Sequence, residues 1–444
     1  MTIDSTWIAS FKEEIPQAFT QSIPFRPKAA FCDGQIRLMR GHSGDFLTWD
    51  SYIHQQFTRH VQKFFDNHGV GTVILAFDDY AHVPEAKCMT QLKRRKHVPK
   101  LEILEREPLP TVCPSGEKWA QCIANRVFKS KVIALVVQTL PKLLRLSEEQ
   151  TLVIDYAGPP DEYRLVGGQI QTRRLELLIP LGEADVKFTR YADMYKQLLV
   201  DSVDGDSIPI ALLHHEAAIR ELTNGSMKSG DLMDAPPKIC IYRISTRLDS
   251  DKKRKADEGR KFEYVNVPFL YTALRDVILQ CTARMDSPTH CRHYMSMLLA
   301  LIGLTGTDYT RNMPQVSGKT VFGLLSSVWL PLMRSFNPGT GQLEVQPTVD
   351  HVVGCIYAIK YSSHLKTAPG SLKGILDTLQ SSKLSQRTRD ALPSIPRMAC
   401  SVRNVNWLIR YWREPTCTPN PLENEAGVAT FGFVKQNGVV GYTD

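Results

Sequence analysis

The chain has 444 residues, 43% of them hydrophobic and 23% charged, which is an ordinary globular composition that allows one large domain or two to three smaller ones. Lys and Arg number 54 against 46 for Asp and Glu, so the net charge is +8, which suits a polyanionic partner without proving one. The ten Cys include no Cys-x-x-Cys pair, which excludes a zinc finger. The amino terminus has no apolar segment and no apolar run approaches the roughly 20 residues of a membrane span, which excludes a secretory signal and a membrane partner. These features favour the nucleus or cytoplasm.

Short apolar runs, each bounded by turn residues or charge, predict buried parallel strands along the first half of the chain. They are AAFCD (29–33), TVILAFDD (72–79), TLVIDYA (151–157), LELLIPL (175–181) and IPIALL (208–213). Helical patterns lie between them, for example at 46–69, where Gly69 closes the helix. This alternation predicts an α/β fold with a mostly parallel central sheet, helices on both faces and a mostly helical C-terminal region.

A charged segment at 245–261 lacks aromatic residues and predicts an exposed loop. Its Lys-Lys-Arg-Lys run at 252–255 is consistent with a nuclear-localisation signal, a phosphate contact or a solvated loop. A Pro-rich stretch at 418–424 begins a tail that ends in a strand-like sequence.

Acidic residues stand at the ends of the apolar runs. They are Asp33, Asp78, Asp79, Glu183, Asp185, Asp204, Asp206 and Asp308. The carboxyl ends of parallel strands meet at one edge of a sheet, where several carboxylates repel one another unless cations neutralise them. Mg²⁺ takes carboxylate oxygens, and two such ions can clamp the attacking and leaving oxygens of a phosphodiester. Any one of these acids, taken alone, is equally consistent with a helix cap or a turn.

The order and spacing of these acids resemble those of the flap endonuclease and 5′→3′ exonuclease superfamily, whose nuclease core is PIN-like. The similar motifs are the strand end at Asp33, Phe77-Asp78, Glu183-Ala-Asp185, Asp204-Gly-Asp206 and Gly306-Thr-Asp308-Tyr309. The resemblance spans about residues 29–325. It implies a nuclease core over 1–240, a charged insertion over 241–265, a helical region over 266–345 and a helical extension with a tail over 346–444.

The resemblance also implies roles for residues. The metals would be two Mg²⁺ ions, for which Mn²⁺ can substitute. One ion would be held by Asp33, Asp78, Glu183 and Asp185, and the second would be held or supported by Asp204, Asp206 and Asp308. Lowering the pKa of a bound water would supply the nucleophile at neutral pH.

Basic residues complete the implied site. Lys87 and Arg94 would contact the scissile phosphate, at the start of a helical arch over about 88–130. Further contacts with nucleic acid would come from Lys93, Arg95, Lys96, Gly318 and Lys319. A solvated helix face and an ordinary turn at a helix start are the alternatives for these two groups.

The sequence therefore predicts a metal-dependent, structure-specific 5′ nuclease acting on DNA, rather than RNA, in replication, repair or recombination. A 5′→3′ RNA exonuclease and a catalytically inactive nuclease-fold scaffold protein are the alternatives. Ile36, Leu38 and Met39 replace an aromatic residue that the family often carries, and no sliding-clamp peptide is recognised. These departures are typical of a divergent member, for which a viral source is one hypothesis.

Overall fold

The computed structural model describes most of the chain. The described residues are 5–39, 48–79, 107–176, 178, 181–202, 205–223, 236–244, 262–282, 293–306, 313–365, 370–413, 433–436 and 439–442. Within them, no helix is long and apolar enough to cross a lipid bilayer.

A sheet of nine strands forms the centre of the molecule, in the order β1-β9-β8-β7-β2-β3-β4-β5-β6. Its strands are β1 (Phe19–Thr20), β2 (Ala29–Asp33), β3 (Thr72–Ala76), β4 (Thr151–Asp155), β5 (Asp161–Val166), β6 (Gln169–Arg174), β7 (Gln197–Asp201), β8 (Lys238–Ile244) and β9 (Phe262–Asn266). The five strands from β8 to β4 run parallel, and the outer strands on both sides pair antiparallel. Two separate hairpins pair β10 (Phe336–Asn337) with β11 (Gln342–Leu343), and β12 (Phe433–Gln436) with β13 (Val439–Tyr442).

Helices precede and connect these strands. They are α1 (Ser5–Glu14), α2 (Gly34–Met39), α3 (Trp49–Ile53), α4 (Arg59–His68), α5 (Gly116–Ala124), α6 (Arg126–Leu143), α7 (Ala184–Tyr195), α8 (Ser207–Thr223) and α9 (Val267–Thr282). Residues 293–413 are mainly helical, with α10 (Tyr294–Thr305), α11 (Gly318–Gly323), α12 (Leu325–Ser335), α13 (Val345–Pro347), α14 (Gly354–Lys360), α15 (Leu372–Gln380), α16 (Gln386–Asp390) and α17 (Ile395–Arg413). A π-helical turn at His54–Thr58 joins α3 to α4, and Gly69 closes α4 with a left-handed backbone.

Each face of the sheet carries its own hydrophobic core, because neighbouring residues of a strand point to opposite faces. Phe31 belongs to the core that contains α1, α7, α8, α9 and the later helices, whereas Cys32 belongs to the core that contains α3, α4, α5 and α6. We call these the α7 face and the α4 face. The α/β class and the helices on both faces are therefore confirmed, and the sheet as a whole is mixed rather than mostly parallel.

Two of the five predicted strands are wrong. IPIALL (208–213) lies inside α8, where its residues are buried and Pro209 occupies the first helical turn, a position that tolerates proline. The described residues of LELLIPL (175–181) form no strand. The strand that precedes α8 is instead β7, with the sequence QLLVD. A buried helix and a buried strand have similar apolar runs, so periodicity alone does not separate them.

The predicted charged segment at 245–261 lies wholly outside the described residues. The two strands that flank it, β8 and β9, pair antiparallel within the main sheet. The sheet thus continues to Asn266, beyond the position at which the sequence places the end of the nuclease core.

Candidate functional site: the carboxyl edge of the sheet

The parallel strands β2, β4 and β7 each end in an aspartate at the same edge of the sheet: Asp33, Asp155 and Asp201. Asp33 and Asp155 flank Ala76, the last residue of β3, in the strand register, and Asp78 follows two residues later. In open parallel sheets, ligands bind at this edge because loops and helix starts converge there. The fold therefore places several strand-end acids along one edge of the sheet, and of the predicted ligands Asp33 and Asp78 are among them.

Strand alternation directs Asp33 and Asp78 to the same face of the sheet. Phe31 and Ala76 belong to the core on the α7 face, and Cys32 and Phe77 belong to the core on the α4 face. Alternation therefore directs the next residue of each segment towards α7: Asp33 after Cys32, and Asp78 after Phe77.

A backbone hydrogen bond fixes this part of the edge to the start of α7. The Oδ1 atom of Asp78 accepts from the Ala184 N–H at 2.9 Å, and the Asp79 N–H donates to the Gly182 carbonyl at 2.6 Å. Asp78 thereby satisfies one of the N–H groups that the first turn of a helix leaves without an intrahelical partner.

Glu183 and Asp185 lie at the beginning of α7. Glu183 is the extended N-cap residue and is fully buried, and Asp185 lies half-buried in the first turn. Because Glu183 has an extended backbone and Asp185 is helical, the two carboxylates do not leave the chain from one extended segment. The positive end of the helix dipole favours carboxylates at this position. A purely structural role at the helix start thus competes with metal binding for these two acids.

Asp33 is held by the chain that follows it. Its Oδ1 atom accepts from the Gln35 N–H at 2.8 Å, at the start of α2. Asp33 and Asp78 are both buried, with 7% and 8% of their surface exposed. Backbone N–H donors orient each carboxylate, and carboxylate oxygens are ligands that a hard cation accepts.

Asp155 has a different environment, which the sequence analysis missed. The fully buried Lys187 pairs with Asp155 at 2.9 Å and also donates to the Phe77 carbonyl at 2.7 Å. Arg190 contacts the same carboxylate, and the Tyr191 hydroxyl donates to it at 2.8 Å. Burial and then the charge of Asp155 raise the pKa of Tyr191, which keeps this donor protonated. The run TLVIDYA places Asp155 at a strand end, as AAFCD places Asp33, so the same sequence pattern could have identified it.

Asp201 is likewise paired with cationic or polar side chains. Its Oδ2 atom accepts from Arg37 at 3.2 Å and from His60 Nε2 at 2.7 Å. Burial alone would raise the pKa of Asp201, but the hydrogen bond and charge from His60 and the charge of Arg37 lower it overall. Burial lowers the pKa of His60.

Cys32, His60 and Asp201 are the one group of three potential ligands, within the described ranges, whose donor atoms all lie within 4.8 Å of one another. This group does not suit Mg²⁺, which prefers oxygen ligands, and the Arg37 guanidinium competes for the carboxylate. Burial and then the charge of Asp201 raise the pKa of the Cys32 thiol, so it is not a reactive nucleophile.

The strand-end acids on the α7 face fit Mg²⁺ by their chemistry. Asp33, Asp78 and Glu183 offer carboxylate oxygens, and Mg²⁺ commonly binds to one or two carboxylates while it keeps several waters. Within the described residues, their carboxylate oxygens do not all lie within 4.8 Å of one another, so an ion at this edge would take one or two of these carboxylates and complete its shell with water.

The remaining predicted residues are described only in part. Asp206 is 3% exposed and lies between β7 and α8, not at the start of a strand, and its carbonyl accepts from the Ile210 N–H. The other acids and the basic helix lie outside the described residues: Asp204, Asp308, Lys87, Lys93, Arg94, Arg95 and Lys96. The described part of the predicted arch contains α5 and the beginning of α6.

Gly318 and Lys319 begin α11, where Ser317 caps the helix. A Cβ atom on Gly318 would lie 2.0 Å from the ring of the buried Trp7, so this glycine permits close packing of α11 against α1. Lys319 forms an exposed ion pair with Glu13 at 3.1 Å. Both residues thus have structural contacts with α1 at the start of α11, and duplex binding by them stays a prediction.

No protein-family model matches this sequence, and no curated protein matches it at a significant level. The function is therefore inferred from the residues of the carboxyl edge itself.

Proposed function

We propose that this chain is a Mg²⁺-dependent nuclease with a PIN-like core, which hydrolyses DNA phosphodiesters at the carboxyl edge of its sheet. The observation that carries this proposal is the common position of Asp33, Asp78 and Glu183 on the α7 face. Register links Asp33 to β3, and the hydrogen bond from Ala184 links Asp78 to the residue after Glu183.

The orientation of the strand-end acids supports the same proposal. Asp155 and Asp201 are paired with side chains that neutralise or share their charge. Asp33 and Asp78 accept backbone N–H groups, which hold each carboxylate in one orientation. Orientation by the surrounding protein is what a metal-binding carboxylate requires.

A divalent ion bound by these carboxylates would lower the pKa of a bound water and so supply a nucleophile at neutral pH. The described residues of the edge would position the ion and keep other charged side chains away from its carboxylate ligands. Lys187 would hold Asp155 away from the neighbouring acids, because its ammonium group lies between the ends of β3 and β4.

The substrate proposed is DNA with a free or branched 5′ end. A 5′→3′ RNA exonuclease and an inactive nucleic-acid-binding protein are the competing functions, and each gives a different result in one experiment. Purified protein would be incubated with 5′-flap DNA, nicked duplex and single-stranded RNA, with Mg²⁺, with Mn²⁺ or with EDTA.

We expect Mg²⁺-dependent cleavage of the flap substrate, no cleavage with EDTA, and loss of cleavage but not of binding in Asp185→Ala and Asp204→Ala. Cleavage of RNA alone would favour the exoribonuclease. Binding without cleavage of any substrate would overturn the enzyme and leave the scaffold function.

A further inference from the structure

Three aromatic side chains form a continuous layer on the α4 face of β8 and β9. The Phe262 ring stacks on the Tyr242 ring, with centroids 5.0 Å apart and planes 18° apart. Tyr264 lies beside Tyr242 at 5.1 Å. We call Tyr242, Phe262 and Tyr264 the aromatic patch.

The aromatic patch is partly open to solvent at the carboxyl edge. Phe262 is 38% exposed and lies at the first position of β9, which runs antiparallel to β8 and therefore starts at this edge. Tyr264 is half-buried, and Tyr242 lies behind Phe262 with 8% of its surface exposed. The ring of Phe262 can thus accept a further flat group without any change in the fold.

A cation accompanies the aromatic patch. The exposed Lys63 of α4 places its Nζ atom 5.8 Å from the centre of the Tyr242 ring. His68, also on α4, lies 6.3 Å from Tyr242 and 6.5 Å from Tyr264. An aromatic face beside an ammonium group is complementary to a nucleotide, because the base stacks while the phosphate meets the positive charge.

The aromatic patch is aligned with the proposed catalytic edge. Tyr242 lies beside Asp201 in the strand register, and Asp201 lies beside Cys32, the residue before Asp33. Three strand spacings separate β9 from β2, which is about 14 Å. At a rise of about 3.4 Å per stacked nucleotide, roughly four nucleotides cover this distance along the edge. The nucleotide strand also passes over the edge, from the α4 face of the patch to the α7 face of Asp33 and Asp78.

We propose that the aromatic patch stacks a base of an unpaired DNA strand whose backbone crosses the carboxyl edge, with Lys63 contacting a phosphate. This inference deepens the proposed nuclease function and rests on it. Stacking tolerates every base, since each base has a π-face, so the patch selects unpaired over paired DNA rather than one sequence over another.

Phe269 provides a matched control on the same segment of chain. It is 44% exposed and lies in the first turn of α9, directly after β9. It lines a cavity of about 450 Å³ with Pro24 and Phe25 at the opposite, amino-terminal edge of the sheet. Exposure of a single aromatic residue is common, so a difference between Phe262 and Phe269 would isolate the effect of location.

The test measures binding of a 5′-labelled single-stranded DNA that contains 2-aminopurine, in EDTA, by fluorescence anisotropy and quenching. We expect Phe262→Ala to weaken binding about tenfold and to remove part of the quenching, as loss of one base stack would. Phe262→Tyr should keep both the affinity and the quenching, and Phe269→Ala should bind like the unmodified chain. Lys63→Ala should reduce the salt dependence of log Kd by about 0.7, the value for one phosphate contact on a single strand.

Equal binding by Phe262→Ala and Phe269→Ala would overturn the stacking site, as would equal affinity of the unmodified chain for single-stranded and blunt duplex DNA. These outcomes are separate from failure of the nuclease proposal. Because binding is measured without metal, a chain that stacks DNA through Phe262 and never cleaves it would refute only the catalytic function.

Discussion

At the scale of single residues, the acids of the carboxyl edge have different surroundings. Asp155 and Asp201 belong to buried ion-pair networks, and Asp33 and Asp78 each accept a backbone N–H. The sequence predicts Asp33 and Asp78 at strand ends but neither Asp155 nor Asp201, whose partners Lys187, Arg37 and His60 come from distant segments. The local sequence shows where a charged residue stands in a strand, whereas tertiary packing decides which residue pairs with it.

Removal of the Lys187 ammonium group should destabilise the fold. Lys187→Met leaves Asp155 buried with an incomplete set of donors, and breaking a buried pair costs about 3 kcal/mol or more. Urea unfolding followed by circular dichroism measures this loss. Lys142→Met, on the exposed surface of α6, is the control and should change the free energy of unfolding by less than about 0.5 kcal/mol. Equal effects of the two substitutions would show that the pair with Asp155 is unimportant.

His215 should make the stability depend on pH. Burial lowers its pKa to about 4, and its Nδ1–H donates to the Pro237 carbonyl at 3.2 Å. The unfolded chain binds a proton near pH 6.5 and the folded chain does not, so stability is lost as pH falls from about 6.5 towards 4. One such group contributes a slope of up to about 1.4 kcal/mol per pH unit.

Urea unfolding between pH 7 and 4.5 tests this slope. His215→Asn keeps a side-chain donor but cannot titrate, so its free energy of unfolding should fall less steeply than that of the unmodified chain. Parallel curves would mean that His215 is protonated equally in the folded and unfolded chains.

At the scale of elements, the sequence predicts helices and strands best where their ends are marked. Gly69 closes α4 at the predicted residue, and AAFCD is a strand with the predicted bounds. The errors concern two neighbouring apolar runs: IPIALL is a buried helix, and QLLVD is a strand that the sequence did not predict. These runs have similar composition, and their neighbours in the fold decide between the two states.

The packing of α11 against α1 gives a prediction at this scale. Gly318→Ala places a methyl group against the Trp7 ring, which is fully buried, and should cost about 1–3 kcal/mol. Gly323→Ala in the same helix has open space around the added Cβ and should leave the stability unchanged or slightly raised. Thermal unfolding of both variants distinguishes packing from a role in DNA binding, since a binding role alone would leave both equally stable.

At the scale of the whole molecule, two cores enclose one sheet, and the helices from α10 to α17 join the core on the α7 face. The sequence predicts the α/β class from the alternation of elements. The pairing of β1 with β9 joins segments far apart in the sequence, which periodicity does not report. On the other side, β5 and β6 form a local hairpin around Gly167 and Gly168. The α7 helix links the sheet to the carboxyl edge, because it packs on β2 and β7 and its Ala184 N–H donates to Asp78, which follows β3.

The central claim is that the carboxylates of this edge carry out metal-dependent cleavage. Asp78→Asn tests it most directly, since the amide oxygen can still accept the Ala184 N–H while the negative charge is lost. Asp193→Asn, on the exposed end of α7, is the matched control. The measurement is the rate of Mg²⁺-dependent cleavage of 5′-flap DNA by folded protein.

We expect Asp78→Asn to reduce this rate by more than the roughly 10–100-fold that loss of a supporting partner costs at metal sites, and Asp193→Asn to leave it unchanged. A folded Asp78→Asn variant that cleaves at the rate of the unmodified chain would contradict the claim.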